Sequence, residues 1–414
     1  MSPNNNTGKL RVNVVSAGNS RPIPDARVSI SFTGEPNSTI EELTTDSSGQ
    51  TETIDLESPP LEYSLNPTIE IQPYSEYTIT ITAPDFESIS ISGTEILPTV
   101  TALQNVRMRP LTPSTEQEEV FVIPAHTLYA EYPPKIPEAE IKPVRETGEI
   151  VLSRVVVPEY IVVHDGSPRD TTAQNYYVKY KDYIKNVASS EIYATWEPNA
   201  IRANVLAIMS FTLNRVYTEW YRNQGYDFTI TSSTAFDHKW IPERNIYDTI
   251  SVIVDELFAN YLSRPNVKQP ILTQYCDGRR VQCPNWMTQW GSQSLAERGY
   301  SAIEILRYYY GDNMYINTAP EISGIPSSWP GYNLEQGSTG DKVRQMQEQL
   351  NVIAGAYPAI PKITADGIYG PATAAAVRKF QSVFGLPVTG VVDYKTWYKI
   401  SEIYVGVSRI AELV

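Results

Sequence analysis

Pro198 stands between two segments with helical apolar spacing, and that break governs what the surrounding chain can build. From Tyr183 to Ile192, apolar residues fall at Tyr183, Ile184, Val187, Ala188 and Ile192, which is one face of a helix. Pro198 can open a second helix because the first turn leaves its N–H groups unpaired anyway. Ile201, Val205, Ile208 and Leu213 then carry the pattern to Arg215. Between the two lies Tyr193-Ala194-Thr195-Trp196-Glu197, an aromatic turn, which puts Glu191 at the end of the first helix. A carboxyl group desolvated against those rings has its charged form disfavoured and its pKa raised, as a general acid near neutral pH requires. A solvated glutamate at a helix end is the plain alternative, and residue type alone favours it.

The rest of the 414-residue chain is too long for one ordinary core and divides by its own patterning. Residues 8–110 alternate short strand-like runs (KLRVNVVSA, ARVSISFTG, YTITITAPD, SISISGTEI) with Gly, Pro, Asn and Asp clusters. They predict an N-terminal antiparallel β-sandwich over residues 1–110, with no nucleophile, base and orienter grouped in it, so a structural or regulatory role is expected. Residues 111–150 are rich in Pro, Glu and Thr, which disfavours helix and predicts an extended linker. Its end, at Glu149, Ile150 and Val151, is the expected site of proteolytic processing, with an uncut linker as the alternative. A central α+β domain is expected over 151–325 and a helical domain over 330–414.

Charge sharpens the division. Residues 1–150 hold 22 acidic and 9 basic side chains against 25 and 24 in the remainder, and no basic stripe appears, which argues against nucleic acid as a partner. No apolar run reaches eighteen residues, so no membrane span is expected, and MSPNNNTGKL lacks a secretory signal pattern. The apolar-periodic segment Tyr247–Tyr261 predicts a helix with Asp255 and Glu256 on its polar face. His164 and His238 stand alone, without metal or triad spacing, and neither cofactor nor metal is expected. Cys276 and Cys283 form no disulfide framework, although one bridge closing a short loop fits them as well as free thiols do.

Two motifs carry a family resemblance. Met287-Thr288-Gln289-Trp290-Gly291, Leu295-Ala296, Gly299-Tyr300 and Ile305-Leu306-Arg307-Tyr308-Tyr309-Tyr310-Gly311 follow the order and spacing of the SpoIID/LytB family. Tyr183–Ile192 and Ala200–Ala207 resemble that family's earlier motif pair, in which a glutamate is the catalytic acid of a peptidoglycan lytic transglycosylase. The resemblance assigns that role to Glu191. Trp196, Trp290 and Tyr309 have rings that suit sugar faces, with core packing as the default for each, and with Gln289 of the motif they are the candidate substrate-binding residues. Where relatives carry arginine this chain has Met209, and Cys283 stands where they have histidine. Some relatives bind zinc through Cys and His, which would recruit Cys276, Cys283 and His238, but a disulfide or free thiols stand ahead of that reading.

Residues 332–400 repeat a Gly-rich turn before each helix-like run, as in Asp366-Gly367-Ile368-Tyr369-Gly370-Pro371 and Gly385-Leu386-Pro387-Val388-Thr389-Gly390. They resemble the three-helix peptidoglycan-binding domain type 1. The sandwich in turn resembles prealbumin-like modules. The whole order resembles clostridial spore cortex-lytic enzymes, in which a subtilisin-like Csp protease removes the N-terminal region at germination. That resemblance implies cortex peptidoglycan as substrate and the spore cortex or outer spore layers as location. The LytB half of the family, with Met209, keeps open a wall-binding activator of an amidase, or an amidase activity in the same domain.

Overall fold

The computed structural model describes residues 6–35, 38–112, 118–142, 154–324 and 329–408. The expected processing residues Glu149, Ile150 and Val151 lie outside them.

The N-terminal part is built from eight strands: β1 (Thr7–Ser16), β2 (Arg27–Phe32), β3 (Thr39–Thr44), β4 (Ile54–Glu57), β5 (Ser75–Thr82), β6 (Ile89–Ile96), β7 (Thr101–Met108) and β8 (Glu119–Val122). A single helical turn, α1 (Glu62–Leu65), follows β4. One sheet runs β3-β2-β5-β6-β8 and the other β7-β1-β4. Alternation does what the sequence predicts: along β1, Leu10, Val12 and Val14 turn inward while Lys9, Arg11 and Asn13 do not. The antiparallel expectation needs correction, because β1 pairs with β7 in parallel and β8 joins β6 in parallel. Period-two patterning fixes which face is buried but not strand direction, and the long connections between these strands permit parallel entry. The sheet is also not confined to residues 1–110, since Ile246–Tyr247 adds to β7 as an edge strand.

The central part is organised on α2 (Tyr180–Glu191) and α3 (Pro198–Tyr217), joined through the break at Pro198. α3 is buried on nearly all sides, which explains why its apolar pattern runs almost around the helix. α4 (Asp248–Leu257), α5 (Gln289–Glu297) and α6 (Ala302–Tyr310) pack on it. The helix expected from Tyr247 to Tyr261 stops at Leu257, and Asn260–Ser263 instead pairs as a strand with Tyr315–Thr318. Asp255 also departs from its expected solvent role. It is buried between Lys181 (3.1 Å) and Lys185 (2.8 Å) of α2, because the C-terminal helix covers this side of α4.

The C-terminal part consists of α7 (Asp341–Ala356), α8 (Pro371–Val383) and α9 (Tyr394–Ser408), the three helices expected there. It is not held by a tether alone. Phe258, just after α4, packs against Tyr394 and Tyr398 of α9 at ring-centroid distances of 5.7 and 5.3 Å. Lys395 pairs with Glu256, and Glu402 with Lys181. No helix among the described residues is long and apolar enough to cross a membrane.

Residues 123–142, expected as an extended linker, run without helix or strand, turn once at His126–Ala130, and are only partly solvated: Pro133, Pro134 and Ile136 are exposed while other side chains are inserted. His126, Leu128, Tyr132, Lys135 and Lys142 are all buried against the central part. Backbone groups of this strap, freed from regular structure by its prolines, find partners in two buried amides. Gln274 donates to Ile136 O (2.8 Å) and accepts from Glu138 N (2.9 Å). Gln269 does the same with Lys142, at 3.2 and 2.7 Å.

Candidate active site

Glu191 is the last residue of α2, with no exposed surface. Its Oε1 accepts the backbone N–H of Lys239 at 2.7 Å, and its Oε2 accepts the hydroxyl of Tyr275. The parallel bridge of Tyr275–Cys276 with Met287–Thr288 delivers both Tyr275 and the start of α5 to this point. Gln289, at the first turn of α5, donates its amide to the carbonyl of Glu191 at 3.0 Å. The two motifs, about a hundred residues apart in sequence, thus meet at one residue.

Burial pushes the Glu191 carboxyl above the usual glutamate range, against the opposing pull of the Lys135 ammonium, the Tyr275 hydroxyl and the Lys239 N–H. Lys135 comes from the strap. Its Nζ lies 4.8 Å from the centroid of the Tyr275 ring and donates to Thr234 O and Asp237 O. His238 stacks on the other side of this group, 5.9 Å from the Tyr275 ring, and its Nδ1 meets the Tyr183 hydroxyl at 3.0 Å. Burial, reinforced by Lys135 and Arg215, lowers the His238 pKa well below its ordinary value, so the imidazole is neutral.

The nearby buried carboxylate, Asp237, is fully engaged. Oδ1 accepts Arg215 Nε at 2.7 Å, while Oδ2 accepts the Tyr221 hydroxyl (2.7 Å) and both donors of Thr231 (2.7 and 2.9 Å). That arrangement orients a structural anion and leaves Glu191 as the carboxyl with a weakened hold on its charge.

The aromatic residues gather beside Glu191. Trp196 and Trp290 lie 5.0 Å apart, Tyr193 stands edge-on to each at 6.0 Å, and all three are buried. What covers them is N-terminal. Trp196 Nε1 donates to Ser64 O of α1 at 3.0 Å, and His126 of the strap lies over the Tyr193 ring at 4.6 Å. Tyr309 is half-buried on α6, its hydroxyl 2.9 Å from Thr288 Oγ1. Met209 is fully buried within α3, and in the intact chain the cation acting on Glu191 most strongly comes from the strap instead.

Cys276 and Cys283 form a disulfide that closes the loop between Tyr275 and Met287, so in this form their sulfurs are not metal ligands. No group of three or more His, Cys, Asp or Glu residues arranged for a metal occurs among the described residues. Sequence reasoning missed Tyr275, Lys239, His238 as a site neighbour, and the strap residue Lys135. Only Tyr275 had an available signal, standing at the head of the segment that carries the second motif.

Comparison with known proteins bears on the C-terminal part. Residues 339–400 match the family described as "Putative peptidoglycan binding domain". Over 77 residues the chain is 42% identical to a zinc D-Ala-D-Ala carboxypeptidase of Streptomyces albus G, covering 18% of this chain and 28% of that protein. It is 41% identical over 68 residues to an uncharacterised protein of Kitasatospora aureofaciens, covering 16% and 53%. The chain thus spans between about a quarter and about half the length of these relatives. Among solved structures, the SleB N-terminal domain aligns at 28% identity over 19% of this chain and 99% of that domain, with a TM-score of 0.17.

Proposed function

We propose that the chain is the precursor of a spore cortex-lytic enzyme of the SleC kind, a peptidoglycan lytic transglycosylase with Glu191 as its acid and base. The observation that carries this reading is the Glu191 carboxyl itself: buried, raised in pKa, oriented through both oxygens, and fixed where the two SpoIID-like motifs converge. The peptidoglycan-binding family matched at residues 339–400 supports the polymer as the ligand. The zinc carboxypeptidase relative likewise bears a name that places its substrate in cell-wall peptide, though the shared part is a short segment.

One carboxyl group suffices for the reaction. Protonated Glu191 gives its proton to the glycosidic oxygen between N-acetylmuramic acid and N-acetylglucosamine as the C1–O bond breaks. The C6 hydroxyl of the same muramic residue then attacks C1, and the Glu191 carboxylate takes the C6 proton, which restores the acid and leaves a 1,6-anhydro end. A hydrolase would need a second carboxylate free to activate water or attack the sugar, and Asp237 is committed to Arg215, Tyr221 and Thr231.

In this reading residues 1–150 are removed by a subtilisin-like Csp protease cutting near Glu149–Val151, and the enzyme acts in the spore cortex. The complete burial of Glu191 in the intact chain supports an inactive precursor. The test is mass spectrometry of cortex digested by the processed protein and by its Glu191→Gln variant, with folding checked by circular dichroism. Anhydro-muropeptides released by the wild type and absent with Glu191→Gln are the expected result. New free peptide termini without anhydro ends would identify an amidase or its activator instead.

A further inference from the structure

We infer that residues 123–142 fill the groove that receives a peptidoglycan strand, with His126 on the Tyr193 ring, Lys135 near Glu191, and the carboxylates of Glu138 and Glu140 where stem-peptide carboxylates bind. This rests on the reading of Glu191 as the centre of a glycan site. The N-terminal sheets, in this view, serve to hold the strap, while α1 covers Trp196 through Ser64.

Four observations lead here. First, after a turn at His126–Ala130 the strap runs along the central part without helix or strand, and its main chain at Ile136, Glu138 and Lys142 is read by the side-chain amides of Gln274 and Gln269. Second, those glutamines are buried although each carries groups that need partners, so a groove emptied of the strap would hold polar atoms arranged for another polar chain. Third, Glu138 is forked onto Arg215 at 3.0 and 2.6 Å and Glu140 onto Arg264 at 2.6 and 2.7 Å, two-pronged recognition that suits carboxylates generally. Stem peptides of peptidoglycan carry carboxylates along their length and at their C-terminal end, whereas in the stem-free glycan the sole carboxylate is that of the lactyl ether on each muramic residue, close to the sugar ring. Fourth, the His126 ring lies 4.6 Å from the Tyr193 ring, tilted by 33°, and so occupies the open side of the aromatic cluster formed by Tyr193, Trp196 and Trp290.

A strap joined to the domain it fills competes at high effective concentration, and cutting the connection on its C-terminal side ends that advantage. The experiment uses the full chain with a specific protease recognition sequence placed in residues 113–117 or in residues 143–150. The probe is a soluble peptidoglycan tetrasaccharide bearing tetrapeptide stems, its binding followed by tryptophan fluorescence, with the stem-free tetrasaccharide alongside. Cutting at 143–150 is expected to tighten binding of the stem-bearing probe roughly tenfold or more, while the intact chain and the chain cut at 113–117 bind weakly and alike. Lys135→Glu in the uncut chain, which sets a carboxylate near Glu191 and Asp237, is expected to give a similar gain and to raise hydrogen exchange across residues 123–142.

An equal gain from either cut would overturn the inference in favour of obstruction by the sheets. No gain from the 143–150 cut, with none from Lys135→Glu, would overturn it altogether. An equal gain for the stem-free probe would overturn the assignment of the two arginines. Tightened binding without anhydro products from the processed protein would leave the strap in the groove and refute transglycosylation.

Discussion

The hydroxyl of Tyr275 donates to Oε2 of Glu191, and it is a donor that favours the charged form of a carboxyl group that burial is pushing toward the neutral form. Removing the donor while keeping the ring, in Tyr275→Phe, sends the Glu191 pKa further up. The first proton transfer then persists to higher pH, while return of the C6 proton meets a less settled carboxylate. The expected outcome for the processed enzyme is an alkaline limb of the rate profile displaced upward, with a lower maximum. A pH–rate profile on isolated cortex measures it. An alkaline limb that stays in place would show that Glu191 is not the titrating acid.

Gly291 packs where a side chain has no room. A Cβ there would lie 2.1 Å from both Thr288 Oγ1 and the Tyr309 hydroxyl, so the glycine is what lets α5 meet that hydrogen-bonded pair. Glycine to alanine in a helix interior ordinarily gains about 1 kcal/mol, whereas overpacking of this kind costs about 1–3 kcal/mol. We expect a net loss of roughly 1 kcal/mol in urea unfolding for Gly291→Ala, recovered in part in the double variant with Tyr309→Phe, which leaves the clash with Thr288 Oγ1. Additive losses in that cycle would mean that Tyr309 is not the obstacle.

These residues show where the sequence was legible. α2 and α3 follow their apolar periodicity to within a few residues, because a helix of three to six turns repeats its burial often enough to be read. The two-residue strands Tyr275–Cys276 and Met287–Thr288 have no period at all, so the bridge that carries Tyr275 to Glu191 left no trace in the pattern. The strap was hidden for another reason. Pro124, Pro133, Pro134 and Pro137 announce irregular chain correctly, but irregular chain is usually solvated, and the partners that bury this one are glutamine side chains more than a hundred residues away. Asp255 was misplaced by the same kind of long-range event, the packing of α2 and α9 against α4.

That docking responds to acid. Burial opposes ionisation of Asp255, yet Lys181 and Lys185 hold its carboxyl well below the ordinary aspartate range, and Glu402 is lowered in the same network by Lys181 and Lys399. A depressed carboxyl contributes stability that is fully present above its unfolded value, near pH 4, and is lost as pH falls through its folded value. Urea stability of the full chain is therefore expected to hold from pH 7 to about 5 and then to fall steeply below about 4. Asp255→Asn should start lower, because it leaves the buried Lys185 ammonium without its counter-charge and Lys181 with Glu402 alone, and should show a shallower acid slope. An unchanged slope would place the acid sensitivity elsewhere.

Cutting the chain near Val151 should not by itself separate its parts. Glu95 at the end of β6 forks onto the buried guanidinium of Arg244 at 2.7 and 2.5 Å, Asn245 exchanges two hydrogen bonds with the Glu95 backbone at 3.0 Å each, and Ile246–Tyr247 completes the sheet beside β7. With Glu138 on Arg215 and Glu140 on Arg264, three arginines of the later chain depend on carboxylates of the earlier one. Arg215 keeps Asp237 and Arg264 is partly exposed, so the fully buried pair Glu95–Arg244 carries most of the hold; leaving that charge unpaired costs about 3–5 kcal/mol, or about two to four decades in dissociation constant. The nicked protein is expected to elute from gel filtration as one species at micromolar concentration and to separate when the stem-bearing tetrasaccharide is present. Glu95→Ala should let the nicked pieces part without ligand. Spontaneous separation of the nicked wild type would show that these pairs are too weak to hold the interface, and that the peptide connection alone keeps the precursor closed.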